Sequence, residues 1–464
     1  MRPRLTEASV LFISVLKWFV LASVVGILVG GSTAFFLWCL REATARIGLV
    51  PYHYALLPLA LFASAMLVLY LAPDARGHGT EKVIEAIHQR GGVIKPLVVP
   101  VKLLATVVTL ACGGSAGKEG PCAQIGAGIS SVLARAFRFD EVDRKKIVIC
   151  GVSAGFATVF GTPVAGALFG VEVLAVGQIQ YAVLFPSFVA GIVGYQVSSA
   201  IGTAYFHHAI NFVPTFTGLF FFKVVLAGIA FGALSFIFIE ILRLVESASD
   251  RLRWWTPLKG LLGGALLLAT LPLGDRYLGL GLTTVEATLN GTAPASAYDP
   301  FIKMIATAIT LSFGGSGGIV TPIFFVGATA GSAISGLIGL DPATGAALGM
   351  VGALAGCANT PISASVMSIE LFGAALSPYA AVAAVVSFLI VGHRSVYGSQ
   401  ILAVAKSSSL RTDLGKPIEG TTAPHVAPRP ESIIGIGRQT AARIRRRRRR
   451  GRSAPVRSRI SRRK

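Results

Sequence analysis

Three glycine-rich segments hold the residues whose types and spacing point most directly to chemistry: Gly77-His-Gly-Thr80, Gly113-Gly-Ser-Ala-Gly-Lys-Glu-Gly-Pro121 and Gly314-Gly-Ser-Gly-Gly-Ile-Val-Thr-Pro322. Each places glycines directly before an expected helix start, and Pro121 and Pro322 suit a first helical turn. A helix N-terminus presents unpaired N–H groups and a partial positive charge. Glycine lets that backbone approach an anion closely. Gly79, Gly117, Lys118 and Gly318 are therefore candidate anion-binding positions. The competing explanation is that these glycines only permit tight helix packing. Three such segments in one repeated frame favour the anion site.

Glu119 is the unusual member. The helix dipole favours an acid there, so plain capping is one reading. An acid inside a glycine-rich membrane segment is a functional candidate by default. Its carboxylate would occupy an anion position as a tethered competitor and leave on protonation, coupling proton binding to anion occupancy. Glu119 is accordingly read as a gate.

The elements that must position these residues come from a repeat. Gly77-His-Gly79 matches Gly279-Leu-Gly281, Gly113–Gly117 matches Gly314–Gly318, and Thr162-Pro163 matches Thr360-Pro361, in the same order at offsets of 202, 201 and 198 residues. In the last pair each proline is followed nine residues later by a glutamate, Glu172 or Glu370. The chain is thus read as a short N-terminus (1–9), two similar halves (10–210 and 215–405) and a basic, disordered tail (412–464), too short and too polar for a second folded domain. Short apolar stretches ending in glycine or proline, such as 163–174 and 361–372, fall below the ~20 residues of a full crossing. Helices that stop partway need their ends satisfied by protein or a water-lined cavity. The expected fold is an all-α polytopic membrane protein of broken and tilted helices.

Composition agrees. Hydrophobic residues make up 53% of the chain and charged residues 14%, where a soluble protein carries about a quarter charged residues. The net charge of +21 is concentrated: 438–464 holds fourteen basic residues and no acid. By the positive-inside rule that tail belongs in the cytoplasm. It suits anionic lipid headgroups better than nucleic acid, since the run shows no aromatic interleaving and no fold of its own. The five cysteines stand singly, without disulfide or metal-site spacing. The seven histidines form no ligand set with carboxylates, and the adjacent His207 and His208 would diverge on a helix. No metal, cofactor or enzyme activity is expected.

Gly117-Lys-Glu-Gly-Pro121, Gly317-Gly-Ile-Val-Thr-Pro322, Gly77-His-Gly79 and Tyr397 in Ser395-Val-Tyr-Gly-Ser-Gln400 together resemble the CLC chloride channel and transporter family, over about residues 10–405. The resemblance implies two inverted halves and a homodimer with a separate anion path in each subunit. It also implies an integral membrane protein with both termini cytoplasmic and chloride as the bound ligand. Glu119 matches the external gating glutamate. Lys118 stands where arginine is usual, which keeps the charge but changes its geometry. Ile319 and Val320 match the pair whose amides cradle the central anion, with Val320 replacing the usual phenylalanine. Tyr397 matches the tyrosine that donates to the anion, its alternative being an interfacial belt residue.

Two departures bear on mechanism. His78 stands where the family has a serine anion ligand; it could donate one N–H to an anion or cap the following helix. Val173 stands where proton-exchanging members often carry a relay glutamate. Valine cannot carry a proton, so the sequence points to channel-like, voltage-biased chloride conduction gated by Glu119. A proton-coupled chloride antiporter is the alternative, and a non-transporting membrane scaffold the distant one.

Overall fold

The computed structural model describes residues 2–203, 205, 208, 217–292, 295–420 and 423–441. The first half contains α1 (Arg2–Gly48), α2 (Leu57–Leu71), α3 (Thr80–Gln89), α4 (Val98–Ala111), α5 (Glu119–Ala136), α6 (Glu141–Phe160), α7 (Pro163–Glu172) and α8 (Tyr181–Ala200). The second contains α9 (Gly218–Arg251), α10 (Thr256–Leu268), α11 (Leu282–Leu289), α12 (Asp299–Ser312), α13 (Val320–Ile338), α14 (Pro342–Ala358), α15 (Pro361–Phe372) and α16 (Ser377–Ile390). The halves thus match helix for helix, and their expected boundary falls in 209–216, outside the described residues. Among the described residues six helices are long and apolar enough to cross a membrane. Helices α3, α7, α11 and α15 have only 10, 10, 8 and 12 residues, too few to span one.

Local sequence explains where these helices begin and end. The Asp140 carboxylate accepts the Asp143 N–H at 2.8 Å to open α6, and Asp341 accepts the Thr344 N–H at 2.8 Å to open α14, each an N-cap. Gly161 (φ 72°) and Asn359 (φ 57°) close the same two helices in the left-handed conformation. Proline opens α7 and α15.

The repeated glutamates prove to be reciprocal caps. At the end of α7, Glu172 accepts the N–H groups of Ile362 (2.9 Å) and Ser363 (2.8 Å) and the Ser363 hydroxyl (2.8 Å) at the start of α15. At the end of α15, Glu370 accepts the N–H groups of Val164 (3.0 Å) and Ala165 (2.8 Å) at the start of α7. The two half-helices therefore lie antiparallel, tail to head, and the halves are inverted.

A second crossing joins the glycine turns. Ser115 N–H donates to Thr310 Oγ1, and Ser316 N–H to Thr109 Oγ1, both at 3.0 Å. Behind the turns, α5 meets α6 at Gly126 and Gly151, and α13 meets α14 at Gly327 and Gly349. A Cβ on any of these glycines would lie within 2.4 Å of the facing glycine's carbonyl oxygen. Small residues let the backbones close to this distance, as in membrane helix packing generally.

The tail departs from the unstructured segment expected from its polarity. Leu410–Thr412 pairs antiparallel with Val426–Pro428, and 433–441 are helical. Upstream, Ala175–Val176 pairs parallel with Ile401–Leu402. These contacts anchor the segment after α16 to the end of α7. The arginine run 445–450 lies outside the described residues, as does His207.

Candidate functional site

The two glycine turns meet at the centre of the molecule. Gly117 N–H donates to Gly318 O at 2.7 Å and Gly318 N–H to Gly117 O at 2.6 Å. This corrects the expectation for these two residues: their N–H groups are committed to each other and pin the turns, so neither faces an anion. The donors that remain are those of the first turn of α13, where Ile319 is the N-cap and Val320 the first helical residue. Amides there have no acceptor within the helix, and both residues are buried.

Glu119, the first residue of α5, is fully buried. Its carboxylate reaches across to this helix start. Oε2 accepts the Thr321 N–H at 3.2 Å, and Oε1 accepts the Thr321 hydroxyl. The carboxylate thus takes the place an anion would take at the N-terminus of α13. Lys118 makes no ion pair with it among the described residues. Lys118 instead lines a cavity of about 40 Å³ with Thr321, Phe160 and Phe324, on one side of the gate.

On the other side lies the turn before α3. Gly79 is the N-cap of α3 with φ 86°, and His78 Nδ1 has no hydrogen-bond partner among the described residues, so that nitrogen does not cap the helix. A Cβ on Gly79 would stand 2.6 Å from Gly120 O, and one on Gly120 would stand 1.9 Å from His78 O. The turn therefore lies directly against the start of α5. The His78 and Tyr397 rings are 5.5 Å apart. Tyr397 is 1% exposed, which excludes an interfacial belt position. Its loop is fixed by Tyr397 N–H on Ser395 Oγ (2.9 Å), Ser395 Oγ on Gln400 Oε1 (2.6 Å), and Gln400 Nε2 on the carbonyls of Val173 and Ala358 (2.8 Å each). Val173 thus contributes a buried backbone acceptor and an apolar side chain.

Among the described residues the buried atoms His78 Nδ1, Thr80 Oγ1 and Tyr397 Oη have no well-formed hydrogen bond, although the Thr80 and Tyr397 hydroxyls lie close to each other. Buried polar groups are normally paired. Three such atoms together around one point make a binding place for a small polar guest. Beyond them opens a cavity of about 320 Å³ lined by His78, Arg76, Glu81, Lys82, Arg243 and Glu419 among others. Glu119 on α13 and the His78, Thr80 and Tyr397 polar atoms stand between the lining of the small cavity and that of the charged cavity.

Comparison with known proteins fits this geometry. The profile described as "Voltage gated chloride channel" matches residues 59–392. The chain belongs to the CLC family of anion channels and transporters. A protein of Pseudomonas syringae pv. tomato called "Chloride/fluoride channel protein" is 38% identical over 392 residues, covering 83% of this chain and 86% of that one. The "H(+)/Cl(-) exchange transporter ClcA" of Cronobacter sakazakii is 26% identical over 353 residues, covering 71% and 75%. Among solved structures, a CLC-type fluoride/proton antiporter superposes with TM-score 0.79 at 27% identity, covering 84% of this chain and 98% of that one. A slow cyanobacterial Cl⁻/H⁺ antiporter, at 22% identity and TM-score 0.71, covers 81% and 94% and shares the fold. The CLC chain described here is a multi-pass membrane protein of inverted halves.

Four participants escape the sequence motifs as read. Thr321 is the gate's partner; its counterpart in the first half is Gly120, so the broken repeat was the available signal. Thr80 adds a buried hydroxyl without a well-formed hydrogen bond among the described residues. Lys102 and Lys303, 201 residues apart, are both fully buried. Lys102 Nζ donates to the carbonyls of Ala75 (3.1 Å) and Gly77 (2.5 Å), and Lys303 Nζ to those of Tyr277 (3.1 Å) and Gly279 (2.8 Å). Each lysine holds a Gly-x-Gly turn in place, and a lysine recurring at the repeat offset within an apolar stretch was the sign of it.

Proposed function

We propose that this chain exchanges small halide anions, fluoride and chloride, for protons, with Glu119 as both the plug of the anion path and the carrier of the proton. The observation that carries the reading is the Glu119 carboxylate seated on the start of α13, next to three buried polar atoms without well-formed hydrogen bonds among the described residues. Ionised, the carboxylate holds the Thr321 N–H and hydroxyl and excludes an anion from them. Protonated, it loses its charge-assisted bonds and its attraction to the helix end, and an anion can replace it. The anion then meets the hydroxyls of Tyr397 and Thr80 and an N–H of His78, donors suited to a small, strongly accepting halide. Relatives named for fluoride and for proton exchange support the substrate and the coupling.

A voltage-biased channel is the second reading, favoured by Val173, which removes one titratable position from the route to the gate. Recording halide efflux and proton movement together in proteoliposomes separates the two. Exchange predicts that outward halide flow drives protons inward. Halide flow with no proton movement overturns exchange and leaves the channel, whereas no halide flow at all overturns both and leaves the scaffold. All path residues come from one chain, so each subunit of the proposed homodimer would hold a complete path. We place both termini on the cytoplasmic side, the basic tail near anionic lipid.

A further inference from the structure

We propose that Glu81 delivers protons from the charged cavity to the anion path, in place of the acid that Val173 lacks. The inference rests on the exchange reading given above. A proton bound for Glu119 from the charged cavity must cross the His78–Tyr397 constriction, and titratable or hydroxylic groups are needed to take it across. Glu81 stands at that point. Oε1 is anchored by the Ser399 N–H at 2.9 Å and by the Ser399 hydroxyl. Oε2 is buried and has no hydrogen-bond partner among the described residues, and the residue lines the cavity. One oxygen fixed and one free is the arrangement of a proton carrier rather than of a saturated structural clamp.

The other charged groups around the cavity have partners or charged neighbours of their own. Glu419 pairs with Arg243, and Asp250 with Arg76 at 3.6 Å. Lys82 pairs with Glu85 at 2.7 Å, while Lys102 is occupied by two carbonyls. Glu246 lines the cavity from α9, within the electrostatic reach of Asp250 and Arg76. Thr80, next to Glu81 in the chain, faces Tyr397, and Tyr397 lies within electrostatic reach of both Glu81 and Glu119.

Glu81 Oε2 takes a proton from a hydronium ion of the cavity, forming an O–H bond and leaving a water molecule. The neighbouring Thr80 and Tyr397 hydroxyls each accept one proton and release another. Glu119 receives the last proton as its carboxylate leaves Thr321, and Glu81 is left ionised for the next cycle. One halide moving the opposite way completes the exchange.

Glu81→Gln keeps a carbonyl acceptor for Ser399 and removes the titratable group. In proteoliposomes recording both fluxes, it should lower proton flux at least tenfold and raise the number of halides moved per proton. Glu81→Asp retains the acid on a side chain one methylene shorter, and should lower proton flux several-fold while keeping more of it than the glutamine variant. Equal loss of both fluxes at an unchanged ratio, or wild-type proton flux in either variant, overturns the role of Glu81. Wild-type protein that moves halide without protons overturns the exchange reading itself, an outcome visible before any variant is made.

Discussion

Thr321→Val is the sharpest perturbation of the gate. Valine matches threonine in shape and removes the hydroxyl that Glu119 Oε1 accepts, while the backbone bond at 3.2 Å survives. A hydrogen bond to an ionised group contributes about 1.5–3 kcal/mol, or about 10- to 150-fold in the balance between seated and displaced carboxylate. The seated state should lose that much, so halide flux through the ungated path should rise, up to the level of Glu119→Gln. The assay is halide efflux from proteoliposomes for the wild type, both single variants and the double variant. If the hydroxyl acts through the carboxylate, Thr321→Val should add almost nothing in the Glu119→Gln background, since the two residues form one interaction. A flux unchanged or lowered by Thr321→Val, or an equal increase with and without Glu119, would refute the seated-carboxylate gate.

Three further outcomes follow from the geometry. Glu370→Ala strips two N–H groups of α7 of their acceptor and should cost about 1–3 kcal/mol, seen as a lower unfolding temperature in detergent; no shift would contradict the reciprocal cap. Gly120→Ala drives a Cβ to 1.9 Å from His78 O, and overpacking of this kind costs about 1–3 kcal/mol. Anion flux should fall at least tenfold, while Gly31→Ala, with nothing within 4 Å of its Cβ, should behave as wild type. Tyr397→Phe removes a hydroxyl with no well-formed hydrogen bond among the described residues, so stability should hold within about 0.5 kcal/mol, while loss of a donor to a charged halide should lower affinity about 10- to 150-fold. Calorimetric halide titration reads that loss, and an unchanged affinity would remove Tyr397 from the site.

Much of this was legible because a membrane chain advertises its breaks. Glycines and prolines at a near-constant offset located the half-helices, and the apolar composition fixed the solvent. The purpose of the repeated Glu172 and Glu370 was not legible, because a cap across the repeat joins residues about two hundred positions apart. Gly117 and Gly318 were read as anion donors from the general behaviour of glycine turns. The structure uses their N–H groups to bind the turns to each other, a pairing that depends on how the halves meet. Thr321 was visible in its motif but mute without the distance to Glu119. The tail looked too polar to fold, yet 410–428 finds an edge to build on next to the strand 401–402.

The most direct test of the central claim is simultaneous halide and proton recording on Glu119→Gln in proteoliposomes. The account predicts that the variant still passes halide, with proton flux reduced at least tenfold and halide flow no longer able to drive protons. Proton flux equal to wild type, or halide flow abolished with the fold intact, would contradict Glu119 as the protonatable plug of the path.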